Sequence, residues 1–433
     1  MLNNENSRLL TQTGPGTAMG QLMRAYWLPI LMSSELPGPD CDPVRVRLLG
    51  EPLIAFRDSG GQVGLLDEFC PHRRASLYLG RNEEGGLRCA YHGWKFDIHG
   101  RCTDLPSEPP ESSFCKRIKT VAYPCIERGG VVWAYLGEGT PPEAPAFEWA
   151  SVDASHVYMS KRVMDCNWAQ ALEGDIDSSH ASILHSRLDP ADYQQFEGAR
   201  ELLYFDRDRY PRYEVLDTDY GLMMAARRNA EEDTYYWRAA QYVMPVFVMI
   251  APFDDPLPQF NMWVPMDDHT TMVWAIHWHP DRPLTATERA KRDTGLFFHC
   301  TEFMPATAEA GGAWRPVRHA GNDYLGDRQI QRSRMFSSIE PLWCQDKAVQ
   351  ESMGPIADRL HEHLAPSDLA ISRWRQKVLA AARAYGEGTK PVGLDPRSHR
   401  IRPVGLVLDR EADWREHITR CMTIDPAQDT AAT

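Results

Sequence analysis

Short hydrophobic runs separated by turn sequences characterise the first third of the chain. The turns at 50–52 and 58–61 are rich in glycine, proline and acidic residues. The runs, which are rich in Val, Ile, Leu and Phe, lie at 44–49, 53–56, 63–66, 121–126 and 131–136. Short strands at this spacing are typical of a small antiparallel β domain.

The longer remainder of the chain mixes helical and strand patterns. Helices are predicted at 167–175, 345–363 and 369–385, and strands at 214–218, 222–226, 235–239, 261–264 and 271–278. This mixture predicts an α+β fold in which helices flank an antiparallel sheet. The tail, 425–433, is small and polar, and we expect it to fray.

A stretch rich in glycine and proline, 137–145, separates the two parts and marks a domain boundary. Near the start of the chain, a turn at 14–17 precedes a short predicted helix over 18–26. We therefore predict an N-terminal helical segment over 1–30, an antiparallel β domain over 31–148 and a larger domain over 149–433.

Charge and composition exclude several classes of protein. The 433 residues include 60 acidic and 47 basic ones, a net charge of −13 that argues against a nucleic-acid partner. The longest apolar stretch, 242–251, is about half of the ~20 residues that a membrane-spanning helix needs, and Pro245 interrupts it. The N-terminus lacks the pattern of a signal peptide. We expect a soluble, cytoplasmic protein that binds neither nucleic acid nor membrane.

Two short motifs stand out among the ten cysteines, which otherwise form no disulfide-like framework. Cys70 and His72 form one motif, and Cys89 and His92 form the other, with sixteen residues between His72 and Cys89. Two such loops can hold a [2Fe-2S] cluster, with both thiolates on one iron and both imidazoles on the other. A structural zinc site is the alternative, but zinc motifs usually pair Cys with Cys and His with His.

A [2Fe-2S] cluster with four protein ligands has no open coordination position, so if the chain is an oxygenase, a second metal site is needed after the boundary. Two histidines and one carboxylate form the facial triad of non-heme Fe(II) sites, and His180 and His185 are candidates. On a regular α-helix these two would diverge by about 140°, so they converge only where the helix ends or bulges. Asp177 lies three residues before His180 and is suited to orient it.

The sequence resembles the oxygenase components of Rieske non-heme iron ring-hydroxylating oxygenases. Residues 70–77 (CPHRRASL) and 88–97 (RCAYHGWKFD) are similar to the Rieske domain of that family. Residues 14–20 and 45–50 resemble its phthalate dioxygenase branch. The resemblance implies an N-terminal Rieske [2Fe-2S] domain, a C-terminal catalytic domain with mononuclear Fe(II), and activity as a terminal oxygenase.

The resemblance also implies roles for individual residues. The family element Asp-x2-His-x4-His matches Asp177, His180 and His185, so the histidines would bind iron. Asp177 would bridge His180 to His92 of a neighbouring subunit, which requires a ring-shaped oligomer, a trimer or a dimer of trimers. The segment 345–356 resembles the one that carries the third iron ligand, with Asp346 at the matching position and Glu351 as the competitor.

The implied reaction is hydroxylation of an aromatic carboxylate with O2, the substrate being a phthalate isomer or a substituted benzoate. The alternative within the family is a monooxygenase that demethylates aryl ethers or cleaves diaryl ethers. A Rieske ferredoxin, which only carries electrons, is a third possibility, but the ~280 residues after the boundary exceed what a carrier needs.

Electrons would come from a separate protein, because no Gly-x-Gly-x-x-Gly nucleotide motif follows a predicted strand. The resemblance implies an NAD(P)H-dependent reductase that contains flavin and an iron–sulfur cluster. Arginine is the residue suited to bind a substrate carboxylate, and Arg207 and Arg238 are the candidates, with Ser178 as a hydrogen-bond donor near the iron. Structural ion pairs are the alternative role for these arginines.

Overall fold

A computed structural model describes residues 2–109, 111–195, 199–251 and 257–424. Two helices, α1 (Asn4–Thr11) and α2 (Ala18–Arg24), begin the chain. The predicted fraying of the tail concerns 425–433, which lie outside the described residues. Among the described residues, no helix combines the length and the apolar composition that crossing a membrane requires.

The first part of the chain is built from short antiparallel strands, as predicted. They form sheets with the strand orders β1-β11-β10, β2-β3-β4-β9 and β5-β6-β7-β8. The strands are β1 (Trp27–Met32), β2 (Val44–Leu48), β3 (Glu51–Arg57), β4 (Val63–Asp67), β5 (Arg81–Glu83), β6 (Gly86–Arg88), β7 (Lys95–Phe96), β8 (Cys102–Asp104), β9 (Ala122–Tyr123), β10 (Cys125–Arg128) and β11 (Val131–Tyr135).

The second part is an antiparallel sheet flanked by helices, which confirms the predicted α+β class. The strand order is β12-β18-β17-β16-β15-β14-β13, and β19 also pairs with β15. The strands are β12 (Val157–Met164), β13 (Arg212–Asp217), β14 (Gly221–Asn229), β15 (Thr234–Val243), β16 (Phe247–Ile250), β17 (Gln259–Pro265), β18 (Thr271–Trp278) and β19 (Val404–Asp409). The helices are α3 (Trp168–Ile176), α4 (Ala199–Arg207), α5 (Ala286–Asp293), α6 (Arg328–Ser333), α7 (Leu342–Ser352), α8 (Leu369–Gly386) and α9 (Trp414–Met422).

One apolar core runs beneath both parts of the chain. Trp133 of β11 is fully buried, and its ring centroid lies 6.1 Å from that of Phe247 on β16. Backbone hydrogen bonds join the parts as well, since the Leu49 N–H donates to Pro265 O at 3.0 Å. A separate, smaller core, which includes Phe56 and Leu87, lies beneath the loops that carry Cys70 and Cys89. The predicted domain bounds of 31–148 and 149–433 stay a prediction.

The predicted helices at 167–175 and 369–385 correspond to α3 and α8. The helix predicted over 345–363 corresponds to α7, but its predicted end is wrong, because α7 ends at Ser352. Gly354 adopts φ +89°, a left-handed conformation typical of the residue that follows a helix. Pro355 comes next and cannot continue a helix.

Candidate metal centres

The two loops that combine a cysteine with a histidine have matching backbone geometry. The Cys70 N–H donates to Ala75 O at 2.9 Å, and the Cys89 N–H donates to Trp94 O at 2.8 Å. Gly93 adopts φ +76°, and a Cβ at this position would lie 2.5 Å from Pro106 Cγ. The second loop therefore requires glycine next to its histidine.

The thiols and the imidazoles of these loops lie at different depths. Cys70 and Cys89 are 1% and 3% exposed, whereas His72 is exposed and His92 half-buried. The rings of the two histidines lie 4.4 Å apart, and Trp94 stacks on His72 at 4.4 Å. Burial and, to a smaller extent, the neighbouring Cys89 raise the pKa of the Cys70 thiol to about 11. Two inward thiols and two outward imidazoles fit a cluster in which one iron has two cysteine ligands and the other has two histidine ligands.

His180 and His185 converge because α3 ends before them. Asn167 caps the start of α3 by accepting a hydrogen bond from the Ala169 N–H at 3.1 Å. The helix ends at Ile176, and the backbone then turns through a 3-10 segment, His180–Ser182. The Nε2 atoms of His180 and His185 consequently lie 3.2 Å apart.

Asp346 of α7 completes the set of ligand-type atoms. Its Oδ1 lies 3.4 Å from His180 Nε2 and 3.3 Å from His185 Nε2. Among the described residues, this group is the one whose ligand atoms lie close enough together to hold a single metal ion. Two imidazoles and a carboxylate are the donor set of a non-heme Fe(II) site with open positions.

Glu351, the competing carboxylate, lies elsewhere. Its side chain accepts hydrogen bonds from Lys347 Nζ at 2.6 Å and from Tyr324 Oη at 2.8 Å. It also accepts from the Asp165 N–H at 2.7 Å. Glu351 is therefore part of a buried ion pair and does not face the two histidines.

Hydrogen bonds behind the histidines turn both Nε2 atoms toward the site. Asp177 Oδ2 lies 3.3 Å from His180 Nδ1, and Gln345 Oε1 lies 2.7 Å from His185 Nδ1. Such partners fix the tautomer of a metal-binding histidine. Gln345 is not among the residues predicted from the sequence, although its position next to Asp346 and the general need for such a partner point to it.

The charges of this group stabilise one another. Burial lowers the pKa of His180, but hydrogen bonds with Asp177 and Asp346 outweigh this effect and raise the pKa to about 10. Burial raises the pKa of Asp346, but the neighbouring His185 and His180 hold it well below its ordinary value. The electrostatic environment of this group therefore favours a positive charge, such as that of a divalent metal ion.

A cavity opens beside this group on one face of the large sheet. Tyr213, Ala226 and Arg238 are paired directly across β13, β14 and β15, and all three line the cavity. Its empty volume, including the opening to solvent, is about 600 Å³. The other described lining residues are Gly174, Asp175, Ile176, Asp177, Ser178, His180, Ala181, His185, Met224, Ala240, Ile250, Ala251, Phe298, Leu342 and Asp346.

The predicted substrate-binding residues have different surroundings. Arg238 is 7% exposed and donates to Ala251 O at the cavity wall. Ser178 also lines the cavity, and its Oγ accepts from Arg228 Nη1 at 2.9 Å. Arg207 is exposed at the end of α4 and is not among the described residues that line the cavity.

Family models match nearly the whole chain. Residues 26–123 match the model described as "Rieske [2Fe-2S] domain", and residues 134–432 match the one described as "LigXa C-terminal domain like". The chain belongs to the Rieske-type aromatic oxygenases. This Rieske oxygenase is therefore an oxidoreductase and the oxygenase component of an aromatic-hydroxylating system, with a [2Fe-2S] cluster and a mononuclear non-heme iron. It receives electrons from separate proteins.

Relatives of this Rieske oxygenase are similar over almost their full length. The phthalate 4,5-dioxygenase oxygenase subunit of Pseudomonas putida is 37% identical over 97% of this chain and 95% of its own. The 3-chlorobenzoate-3,4-dioxygenase oxygenase subunit of Comamonas testosteroni is 39% identical over 94% of this chain and 95% of its own. The crystal structure of dicamba monooxygenase bound to dicamba is 18% identical, covers 84% of this chain and 99% of its own, and has a TM-score of 0.57. This last likeness shows the fold.

Proposed function

We propose that this enzyme is the terminal oxygenase of a dioxygenase system that hydroxylates the ring of an aromatic carboxylate. The observation that carries the proposal is the cavity beside His180, His185 and Asp346, which combines an apolar wall with one buried arginine, Arg238. The relatives named for phthalate and 3-chlorobenzoate support the same substrate class. When bound, the cluster supplies single electrons and the mononuclear iron activates O2.

The metal ligands belong to the proposal. Cys70 and Cys89 would hold one cluster iron, and His72 and His92 the other. This assignment is supported by the paired depths of the thiols and imidazoles. The mononuclear iron would be held by the triad His180, His185 and Asp346, which is supported by the distances of 3.2–3.4 Å among their ligand atoms.

Arg238 is the proposed partner of the substrate carboxylate, because its guanidinium is buried at the apolar wall, where an ion pair is strong. Ser178 is proposed as a polar contact held in position by Arg228, which is fully buried behind it. Arg207 stays a predicted carboxylate contact with weaker support, since its side chain is exposed.

We also propose a ring-shaped homo-oligomer, a trimer or a dimer of trimers, in which Asp177 connects His180 to His92 of a neighbouring subunit. The exposure of His72 and the partial exposure of His92 support contact with another subunit at this edge. The proposed electron donor is an NAD(P)H-dependent flavin and iron–sulfur reductase, in the cytoplasm.

A single-turnover experiment with ¹⁸O2 tests the proposed reaction. The dithionite-reduced holoenzyme is mixed with ¹⁸O2 and a panel of phthalates and chlorobenzoates, and the products are analysed by mass spectrometry. The proposal expects a dihydrodiol that contains two ¹⁸O atoms, formed from substrate, O2, two electrons and two protons. Asp346→Ala is expected to abolish this product while the reduced-cluster spectrum remains.

The alternative reaction predicts different products. An O-demethylase would release formaldehyde from methoxybenzoates, and an ether-cleaving monooxygenase would convert phenoxybenzoates to phenols. Release of formaldehyde or of phenols without a doubly labelled diol, and no product from the phthalates or chlorobenzoates, would replace the dioxygenase proposal by the monooxygenase one.

A further inference from the structure

An acidic side chain lines the proposed substrate cavity. Asp175 lies one residue before the end of α3 and lines the cavity together with Arg238. An aromatic carboxylate has no evident need for a second negative charge in its binding site. The position of Asp175 therefore suggests that the substrate has a second polar group besides its carboxylate.

The two oxygens of the Asp175 carboxylate have different surroundings. Its Oδ2 accepts hydrogen bonds from Asn261 Nδ2 at 2.9 Å and from Trp263 Nε1 at 2.6 Å. Asn261 and Trp263 are two residues apart on β17, so both side chains point to the same face of the sheet. Among the described residues, Oδ1 has no hydrogen-bond partner and Asp175 forms no ion pair.

The hydrogen-bond directions at Oδ2 are fixed. The indole N–H of Trp263 can only donate. The amide of Asn261 is oriented by Gln259, whose Nε2 donates to Asn261 Oδ1 at 3.3 Å, so its Nδ2 must face Asp175. These two donors stabilise the carboxylate form, and a divalent ion held by the triad would add to this effect. Burial acts in the opposite direction and raises the pKa of Asp175 to about 7.

We propose that Asp175 Oδ1 accepts a hydrogen bond from a hydroxyl or amino group on the aromatic ring of the substrate. The substrate class is then a hydroxy- or amino-substituted aromatic carboxylate, with its carboxylate toward Arg238. This inference rests on the proposed function and narrows it. When a bound substrate displaces water from a hydrogen-bond acceptor, the complex loses free energy of binding unless the acceptor gains a new partner. A ring-borne donor provides that partner, whereas the second carboxylate of a phthalate would add a like charge.

Asp175→Asn provides a sharp test, because the donors at Oδ2 determine how the new amide is oriented. Both Asn261 and Trp263 require an acceptor, so the amide must turn its carbonyl oxygen toward them. Its NH2 group then faces the cavity where Oδ1 was. The substitution keeps two internal hydrogen bonds but replaces the acceptor that the substrate meets by a donor.

The experiment measures dissociation constants by calorimetry with the oxidised holoenzyme under argon. The probes are benzoate, the three hydroxybenzoates, the three aminobenzoates and the three phthalates. Because a hydrogen bond to a charged group is strong, at least one hydroxy- or aminobenzoate should bind the wild type about tenfold more tightly than benzoate. Asp175→Asn should remove this preference and strengthen binding of a phthalate. Asp165→Asn, at an exposed aspartate paired with Arg315, is the matched control and should change neither.

Three outcomes would overturn the inference. Equal binding of benzoate and all its hydroxy and amino derivatives by the wild type would do so without any variant, even if Asp175→Asn failed to fold. The second outcome is tight binding of a phthalate with uptake of one proton, which calorimetry in buffers of different ionisation enthalpy detects. It would show that a protonated Asp175 donates a hydrogen bond to the substrate instead of accepting one. If no aromatic carboxylate bound at all, the proposed function would fail together with the inference, whereas benzoate binding without a donor preference would leave the proposed function intact.

Discussion

Gln345 is expected to control the affinity of the mononuclear site without binding metal itself. Its Oε1 accepts the hydrogen bond of His185 Nδ1 at 2.7 Å, and the side chain is 2% exposed. In Gln345→Leu the imidazole N–H loses its acceptor at a position that water does not readily reach. Partners of this kind typically contribute about 10- to 100-fold in metal affinity, or about 1.4–2.7 kcal/mol.

The assay is an anaerobic competition titration of Fe(II) or Co(II) between the cluster-containing protein and a chelator of known affinity. Gln241→Leu is the matched control: Gln241 is a fully buried glutamine on β15, and its Oε1 accepts a hydrogen bond from Tyr220 Oη at 2.6 Å instead of from a histidine. Both variants should lose stability through a lost buried hydrogen bond, but only Gln345→Leu should lose metal affinity. Equal metal affinities in the two variants and the wild type would refute the role of Gln345.

Two further variants test the separate parts of the molecule. Cys70→Ser should abolish the visible absorption of the [2Fe-2S] cluster but keep the mononuclear iron, because the loops that carry the cluster ligands pack on their own small core. The control is Cys421→Ser, at an exposed thiol, which should keep both the cluster absorption and the iron. Burial raises the pKa of Glu173, but Arg359 and Arg375 outweigh it and lower the pKa below its ordinary 4.5. The stabilisation by Glu173 is therefore fully present above its unfolded-state pKa and is lost as pH falls through its folded-state pKa. The measurement is the free energy of unfolding between about pH 6 and pH 3. As the pH falls, it should decrease less in Glu173→Gln than in the wild type. The same pH dependence in both proteins would contradict this assignment.

Local patterns predicted most of the strands, since alternation and turn residues are encoded within a few neighbouring positions. The predicted end of α7 is wrong. The composition of the residues after Ser352 still suits a polar helix, but Gly354 and Pro355 prevent the helix from continuing. The strands β1, β5, β6, β7, β8, β12, β16 and β19 were not predicted. Among these, β12 and β19 show the reason most clearly. Each pairs with a strand more than 100 residues away in the sequence, so local propensity does not reveal it.

The candidate metal residues were predictable to the extent that their spacing is distinctive. Spacing did not distinguish Asp346 from Glu351, which differ by about 140° around a helix. That choice depends on how α7 is rotated against α3, and two buried glutamines fix this rotation: Gln170 Nε2 donates to Gln350 O at 2.9 Å, and Gln350 Nε2 donates back to Ala171 O. Such reciprocal contacts between distant segments are not visible in either segment alone.

The two buried arginines beside the cavity illustrate the same limit. Arg228 and Arg238 lie on adjacent strands, and both guanidinium groups lie over the ring of Phe205, at 4.0 and 5.1 Å. Arg228 nevertheless holds the backbone and side chain of Ser178, whereas Arg238 lines the cavity. Residue type alone does not distinguish these two arginines, and their positions along the strands separate their roles.

The continuous core beneath both parts of the chain restricts how this enzyme can be recombined with its relatives. A graft that exchanged only the cluster-bearing segment would place foreign side chains against Phe247 and would alter the segment that holds the hydrogen bond between Leu49 and Pro265. A chimaera with a new electron-accepting module would need to carry the matching edge of the catalytic sheet with it. Engineering of substrate range, by contrast, can proceed within the cavity, because Phe247, Leu49 and Pro265 do not line it.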